Sequence, residues 1–295
     1  MTALQETVAF LGIGTMGHAM ATSALRAGIS TVVWNREPTA TRDLAELGAD
    51  VAPAVADAAA AAGIVVTMVT DADAVVSIAT DQGMLGALRP GSIWAQMSTL
   101  GVAGTERVAG LVEGQRHDVA LLDAPVSGSK EPAEQGKLTI FASGPDDARS
   151  RVAPLFDALG QRTVWVGPVG AGSRLKLVNN TLLAFTAEGL ASSIALARRL
   201  GLNTATVIDA LDGGPLMSPW ESAKLQRIAG HEYSAQFALA LALKDVRLAL
   251  DAVDPNRFEA FASLAREWER AVDRGLGDQD VTVVTSALEE SGGES

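Results

Sequence analysis

Two lysines in this chain lie in apolar surroundings, although lysine is scarce. Lys176 stands between Leu175 and Leu177, and Lys244 follows the wholly apolar residues 237–243. Burying an ammonium group is costly unless the group is paired or its pKa is lowered, so a lysine within an apolar helix is a candidate for proton transfer. The alternative is that each side chain extends along apolar surface and its ammonium reaches water. The other three lysines, in polar stretches, are Lys130, Lys137 and Lys224.

Gly172 and Asn180 each lie four residues from Lys176, one before it and one after it. On a helix the three positions share one face. Asn180 can hold the lysine amine or a substrate oxygen, and Gly172 would leave room for a ligand beside the start of the helix. This spacing favours acid–base chemistry at Lys176, with Asn180 beside it.

Few other side chains in the sequence could move a proton. Tyr233 is the one tyrosine, and Phe237 stands four residues later, so a Tyr-x-x-x-Lys pair is absent. His18 lies in a predicted helix, and we expect the polar stretches around His117 and His231 to be turns, so all three histidines are expected to be structural or exposed. There is no cysteine, which excludes disulfides, thiolate chemistry and cysteine-ligated zinc. We assign no metal ligand.

A G-x-G-x-x-G motif follows a predicted strand and opens a predicted helix, which is the context of a dinucleotide site. The first glycine permits a tight turn, the second lets backbone amides approach a pyrophosphate, and the third lets the helix pack near the strand. The helix N-terminus supplies partial positive charge. The predicted cofactor-binding residues of this motif are Gly12, Ile13, Gly14, Thr15, Met16 and Gly17.

The end of the second predicted strand indicates which dinucleotide binds. An NAD site usually has an acidic residue there for the ribose 2′-hydroxyl, but Trp34 is followed by Asn35 and Arg36. An arginine can pair with a 2′-phosphate and stack on adenine, so we predict NADP (NADPH) as the cofactor. Glu37 leaves an alternative, because it can reach the ribose if Arg36 points away.

The order of apolar runs predicts an α/β fold followed by an all-α region. Strands and helices alternate up to residue 167, which indicates a Rossmann domain with a doubly wound, mostly parallel sheet over residues 1–167. Residues 168–295 lack strand signals and are predicted to form a helical substrate and dimerisation domain. The predicted strands are residues 7–11, 31–34, 64–69, 92–96, 119–122, 138–142 and 163–166. The predicted helices are residues 16–27, 39–47, 55–62, 72–79, 104–113, 172–200, 204–211, 219–228, 239–253, 257–274 and 280–289.

The long interdomain helix predicted at residues 172–200 would span roughly 40 Å. It is apolar on nearly all sides, which predicts burial around its whole circumference. One small helical domain can hardly enclose that length, so we expect a homodimer formed through the helical domain. Polar residues interrupt the helix and argue against a membrane span.

Composition limits the partners and the compartment. The formal net charge is −12, which argues against nucleic acid or an anionic membrane as the partner. The polar N-terminus does not resemble a signal peptide. Together with the absence of cysteine, this leads us to expect a cytoplasmic protein.

Several ordered motifs extend over most of the chain, from Val8 to about Leu288. With them the sequence resembles the β-hydroxyacid dehydrogenases of the 3-hydroxyisobutyrate dehydrogenase family, which are 6-phosphogluconate dehydrogenase-like, and is most similar to the glyoxylate/succinic semialdehyde reductase branch. The motifs are the glycine-rich turn with residues 33–36, residues 97–99, residues 123–130 with 132–134, Gly172-x-x-x-Lys176-x-x-x-Asn180, Lys244-Asp245, and residues 275–278.

The resemblance implies catalytic and substrate-binding roles. Lys176 would be the general acid during reduction and the base in the reverse direction, while Asn180 would orient substrate and lysine. Ser127, Gly128 and Ser129 would bind the substrate, its carboxylate meeting a hydroxyl and backbone amides.

The resemblance also implies roles around the nicotinamide end of the cofactor. Thr99 and Lys244 would contact the nicotinamide-ribose region, and Asp245 would lie beside the substrate. Met68 and Val69, at the end of the predicted strand 64–69, would line the cofactor cleft. For Lys244 and Asp245 the residues alone also allow a solvated ion pair of little energetic value.

The implied activity is NADPH-dependent reduction of a small aldehyde or oxo acid to the hydroxy compound. The reductase branch usually has polar residues just before its Lys-Asp pair, whereas residues 237–243 are apolar here. If Leu241 or Leu243 borders the pocket, the substrate is less polar than glyoxylate or succinic semialdehyde. One alternative is an imine reductase, although those enzymes commonly carry Asp or Tyr at the position of Lys176. The other is a catalytically idle NADP-binding interaction protein, which would not require Lys176, Asn180 and Ser127 together.

Overall fold

A computed structural model describes residues 6–290 of the chain. Its contacts divide the chain into two compact units, one extending to Lys176 and the other beginning at Leu177. The predicted domain boundary at residue 167 stays a prediction. The strands, all in the first unit, are β1 (Val8–Leu11), β2 (Thr31–Trp34), β3 (Asp50–Val51), β4 (Ile64–Thr67), β5 (Ile93–Gln96), β6 (Ala120–Asp123), β7 (Val126–Ser127), β8 (Leu138–Ala142) and β9 (Gly160–Trp165).

Six of these strands form a parallel sheet in the order β3-β2-β1-β4-β5-β6. The strand order reverses between β1 and β4, and ligands of such sheets bind at the carboxyl ends of the strands near this reversal. A second, smaller sheet has the order β7-β8-β9, in which β7 is antiparallel to β8. The prediction of a doubly wound, mostly parallel sheet is confirmed.

Helices cover both faces of the parallel sheet because its central strands are apolar on both sides. Every residue of β1, β4 and β5 is buried, and separate apolar clusters lie on the two faces. The helices of this unit are α1 (Thr15–Arg26), α2 (Arg42–Glu46), α3 (Val55–Ala61), α4 (Ala72–Ala79), α5 (Met84–Ala87), α6 (Gly101–Gln115), α7 (Lys130–Glu134) and α8 (Arg149–Leu159).

Several short elements of this unit escaped sequence prediction. The edge strand β3 has two residues, both exposed, so it carries no apolar run. Helix α8 contains Pro154, which breaks the usual helical signal, but its burial of Val152, Leu155, Phe156 and Leu159 outweighs the lost hydrogen bond. The helix predicted at residues 39–47 is instead a 3₁₀ turn followed by the shorter α2.

The second unit is helical, as predicted. The long helix α9 (Ala171–Arg199) leads into it from the first unit and ends before Gly201, whose positive φ of 76° is typical of a residue that follows a helix. None of the helices within residues 6–290 combines the length and the apolar character that a bilayer crossing requires. The remaining helices are α10 (Thr204–Leu211), α11 (Pro219–Ala229), α12 (Leu239–Leu250), α13 (Glu259–Ala271) and α14 (Val284–Glu290).

A buried ion pair joins three segments of the helical unit. The Lys224 ammonium lies 2.8 and 2.9 Å from the two carboxylate oxygens of Asp280, and the two residues are 3% and 0% exposed. Asp280 also accepts hydrogen bonds from the backbone amides of Gln236 and Phe237 and from the Thr282 hydroxyl. Burial alone would raise the pKa of the Asp280 carboxyl, but these partners hold it below its usual value. Lys224, which lies in a polar stretch of the sequence, thus has polar partners as well, but the lysine itself is buried.

Replacing Lys224 with methionine would leave a buried carboxylate without its counter-ion. We expect Lys224→Met to lower the free energy of unfolding by about 3–5 kcal/mol, measured by urea denaturation followed by circular dichroism. Lys130→Met is the matched control, because the Lys130–Glu134 pair is exposed with an N–O distance of 3.7 Å, and surface pairs contribute roughly 0–1 kcal/mol. Equal, small losses in both variants would contradict the assigned role.

Candidate active site

The glycine-rich turn after β1 is shaped by two close contacts, one with a side chain and one with backbone. Gly12 has a φ of 101°, and a Cβ there would lie 2.5 Å from Cγ1 of Val69. A Cβ on Gly17 would collide with the carbonyl oxygen of Gly12. Gly14 is exposed, and a Cβ placed on it would meet nothing within 4 Å. The first and third glycines thus serve packing, while the second lies beside open space at the start of α1, where a pyrophosphate can approach.

Asn35 supports this turn from the end of β2. Its side-chain oxygen accepts a hydrogen bond from the Ile13 amide at 2.9 Å, and its side-chain nitrogen donates to the Glu37 carbonyl at 3.1 Å. Both polar side-chain atoms of the predicted cofactor residue Asn35 are therefore hydrogen-bonded to backbone groups. The next side chain, Arg36, is exposed at the same strand end.

A cavity of about 670 Å³ opens beside Gly14 and Thr15, and Arg42 contributes to its wall. Its size is within the range of small-molecule sites. His18, also at the wall, lies 2.6 Å from a carboxylate oxygen of Asp43. Burial opposes the shift, but the hydrogen bond and the charge of His18 lower the pKa of the Asp43 carboxyl. His18 is thus a partly exposed, paired residue, in keeping with its predicted structural role.

A buried polar network holds the loops after β4 and β5. The Ser98 hydroxyl accepts a hydrogen bond from the Val69 amide at 2.8 Å, and the Ser98 amide donates to the Gln96 side chain at 2.7 Å. Met68 and Thr99, two predicted cofactor contacts, are partly buried within these loops. Sequence reasoning missed the supporting role of Ser98, although a polar residue directly after a buried strand is a usable signal.

The end of β7 and the loop after it contain the predicted substrate residues Ser127, Gly128 and Ser129. Ser127 is partly buried and ends the strand, while Gly128 is exposed with a φ of 135°. A Cβ on Gly128 would also lie 2.7 Å from the Leu138 side chain. Only glycine fits this position comfortably, and the loop stays accessible to a ligand.

Lys176 lies near the start of α9 and is 8% exposed, so the structure places the predicted proton donor in a buried position. Gly172, one turn earlier, does not leave room for a ligand as predicted. A Cβ there would collide with the Phe141 carbonyl oxygen and lie 2.6 Å from that of Asp123. Gly172 instead lets α9 pack directly on the ends of β6 and β8.

Asn180, one turn after Lys176, belongs to a buried polar cluster of the helical unit. Its side-chain nitrogen donates to Asp245 on α12 at 2.6 Å, and its oxygen accepts from Asn179 at 3.0 Å. The Lys244 ammonium lies 2.9 Å from the other carboxylate oxygen of Asp245. Asp245 is only 5% exposed, so the Lys244–Asp245 pair is not the fully solvated surface pair that the sequence left open. The link between Asn180 and Asp245 was not predicted.

The predicted cofactor residues of the first unit follow the carboxyl ends of successive strands. The carboxyl ends of parallel strands lie at one edge of a sheet, so the loops after β1, β2, β4 and β5 share that edge. The helical unit brings together Asn180, Lys244 and Asp245. The arrangement can bind a dinucleotide at the sheet edge and supply an amine from α9.

Known proteins resemble the chain over nearly its full length. Residues 7–167 match the family described as the NAD binding domain of 6-phosphogluconate dehydrogenase, and residues 170–288 match NAD-binding of NADP-dependent 3-hydroxyisobutyrate dehydrogenase. Glyoxylate/succinic semialdehyde reductase 1 of Arabidopsis thaliana is 33% identical over 284 residues, covering 95% of this chain and 98% of that protein.

Two further similarities come from bacteria. The NAD-dependent L-serine dehydrogenase of Pseudomonas aeruginosa is 30% identical over 299 residues, covering 98% of this chain and 100% of that protein. The crystal structure of 3-hydroxyisobutyrate dehydrogenase from Salmonella typhimurium has a TM-score of 0.85 at 28% identity, covering 95% of this chain and 99% of that chain.

These matches confirm the predicted family and fold class, and they agree with a nicotinamide dinucleotide as cofactor. The motifs that carried the resemblance include the glycine-rich turn after β1 and the Lys244-Asp245 pair on α12. The chain therefore belongs to the β-hydroxyacid dehydrogenase family of NAD(P)-dependent enzymes acting on CH–OH groups.

Proposed function

We propose that the protein reduces a small aldehyde or oxo acid to the corresponding hydroxy compound with NADPH, and that Lys176 donates the proton. The observation that carries this proposal is the burial of Lys176 near the start of α9. Gly14 lies beside open space, and Asn35 supports the turn through the Ile13 amide. Both features fit a bound dinucleotide. When bound, the reduced cofactor supplies hydride to the carbonyl carbon.

Lys176 completes the proposed reaction at the carbonyl oxygen. As hydride reaches the carbon, negative charge develops on that oxygen, and a positioned ammonium group can transfer a proton to it. One C–H bond and one O–H bond form, and the lysine is left as a neutral amine that regains a proton from water. In the reverse direction the same amine accepts the hydroxyl proton. Asn180 and the loop at Ser127 and Gly128 orient the substrate.

Removing the Lys176 ammonium tests the proposal directly. We expect Lys176→Ala to lower kcat by about 10²–10⁴-fold, the usual contribution of a general acid, while the Kd for NADPH changes less than about twofold. Steady-state kinetics with short aldehydes and oxo acids, together with fluorescence titration of NADPH, measure both quantities.

Lys137→Ala is the control, because Lys137 is exposed and its ammonium donates to Gln135 at 2.8 Å. A loss below about tenfold in Lys176→Ala would reject the role of Lys176.

Cyclic imines assayed in parallel separate carbonyl reduction from imine reduction. NADPH binding without turnover of either class in the wild type would favour the idle binding protein.

The exposure of two leucines on α12 bears on the substrate. Leu243 is 2% exposed and belongs to the core, whereas Leu241 is 43% exposed. Leu241 lies one helical turn before Lys244 and Asp245, on the same side of α12. Of the two leucines, Leu241 is thus the one able to contact a ligand. This supports a substrate with an apolar group, less polar than glyoxylate or succinic semialdehyde.

Arg36 supports NADPH as the proposed cofactor. Its exposed guanidinium follows β2, where a 2′-phosphate would lie, and a charge-assisted contact is worth about 1.5–3 kcal/mol, or roughly 10–150-fold in affinity. We therefore expect Arg36→Ala to raise the KM for NADPH at least about tenfold and to change the KM for NADH less than about twofold.

Arg162→Ala, on the exposed part of β9, is the control and should leave both constants unchanged. If Arg36→Ala changed both constants equally, or if the wild type preferred NADH, Glu37 at the ribose hydroxyls would be the better interpretation.

An exposed apolar stripe on α9 supports the proposed homodimer. Val178, Leu182, Phe185 and Leu196 of α9, with Leu200 directly after the helix, are between 41% and 71% exposed, and their spacing places them on one side of the helix. Exposed apolar surface of this kind marks an interaction surface. A second copy of the chain can bury the same stripe symmetrically.

Charge placed in the stripe should disrupt the dimer. We expect the wild type to sediment as a dimer at micromolar concentration and Leu182→Glu to shift it to monomer, because the dimer would bury an unpaired carboxylate. Leu47→Glu is the matched control, since Leu47 is 54% exposed on the first unit. A monomeric wild type would refute the dimer.

The absence of cysteine supports a reducing compartment, the cytoplasm, as the proposed location.

A further inference from the structure

Asp123, at the end of β6, is a buried carboxylate with no role in the proton transfer proposed above. It is 1% exposed. One oxygen accepts a hydrogen bond from the Ser173 hydroxyl at 2.7 Å, and the other accepts from the Ser173 amide at 2.8 Å and the Ser143 hydroxyl at 3.2 Å. Burial raises the pKa of the Asp123 carboxyl, although these bonds and the Gly170 amide oppose the rise. All the partners lie in the first unit.

These bonds satisfy the first turn of α9, whose leading amides have no partner within the helix. The Ser173 amide donates to Asp123, and the Gly172 amide donates to the Ser143 hydroxyl at 3.0 Å. The Ser143 hydroxyl in turn donates to the Asp123 carbonyl at 3.0 Å, and the Thr105 and Ser173 hydroxyls are 2.8 Å apart. A negative charge at a helix N-terminus also interacts favourably with the helix dipole.

Close packing leaves the helix start little freedom to move. The carbonyl oxygens of Phe141 and Asp123 occupy the space that a side chain on Gly172 would need. The first turn of α9 is therefore fixed against the strand ends by sterics on one side of Gly172 and by hydrogen bonds at Ser173. Lys176 follows Ser173 by three residues, so its backbone is set by the same anchor.

We propose that Asp123 is a positioning residue for Lys176, because its carboxylate fixes the start of α9 and thereby the place at which the ammonium meets the substrate oxygen. This inference rests on the proposed role of Lys176 as proton donor. Proton transfer depends steeply on geometry, and a displacement of about 1 Å can cost roughly 10²-fold in rate. A residue that only stabilised the fold would not act through Lys176 in this way.

A double-mutant cycle separates positioning from general damage. We expect Asp123→Ala to lower kcat at least about tenfold while the KM values and the Kd for NADPH change less than about threefold. In the Lys176→Ala background the same substitution should change the residual kcat less than about twofold. Asp73→Ala, which removes an exposed carboxylate paired with Arg107, is the control and should leave kcat unchanged in both backgrounds.

Each outcome decides between the two proposals. If Lys176→Ala alone lowers kcat less than tenfold, the proposed function fails. If Lys176→Ala has its expected effect but Asp123→Ala lowers kcat equally in both backgrounds, only the positioning role fails. An unchanged kcat in Asp123→Ala also refutes the positioning role of Asp123.

Two milder variants keep the test decisive if Asp123→Ala does not fold. Ser173→Ala removes one hydroxyl donor and retains the backbone amide, and it should show the same dependence on Lys176 with a smaller loss. Asp123→Asn keeps an oxygen for the Ser173 amide and should recover most of the lost kcat. Equal losses from Ser173→Ala with and without Lys176 would overturn the inference.

Discussion

The contact between the start of α9 and the strand ends is the constraint on which the proposed chemistry depends. At Gly172 the helix touches backbone oxygens of two strands, and at Ser173 its leading amide meets the carboxylate of Asp123. Burying that carboxylate is unfavourable by itself, and the hydrogen bonds from the helix offset the cost. The Asp123 carboxylate thus gives the leading amide of α9 an acceptor, and that amide in turn stabilises the buried carboxylate.

Residues whose constraint lies in local backbone geometry are predictable from the sequence. Gly12 and Gly17 follow a strand and open a helix, and the structure assigns them the packing roles that this context implies. Constraints set by distant segments are not predictable in this way. The sequence suggests ligand space beside Gly172 because Phe141, which fills that space, is far away along the chain. The polar sequence around Lys224 does not reveal that this lysine is buried against Asp280, which is 56 residues away along the chain.

The same limit applies to the face that a helical residue presents. Residues 237–243 are apolar throughout, so their sequence does not tell which side of α12 is buried. The structure separates them, with Leu243 in the core and Leu241 exposed. The sequence of α9 is apolar on nearly all sides, so it likewise did not reveal the exposed stripe that includes Leu182. Periodicity locates a helix, but it locates a face only where polar residues interrupt the apolar ones.

Polar side chains support the loops at the carboxyl ends of the strands, and this follows from what a ligand-binding edge requires. Loops that approach a dinucleotide must leave their amides available, so they cannot be secured by the regular ladder of the sheet. Side chains secure them instead, since Asn35 holds the amide of Ile13 and Ser98 holds that of Val69. Each acceptor secures one amide of its loop. Replacing such a residue would therefore loosen the site while the sheet itself remains intact.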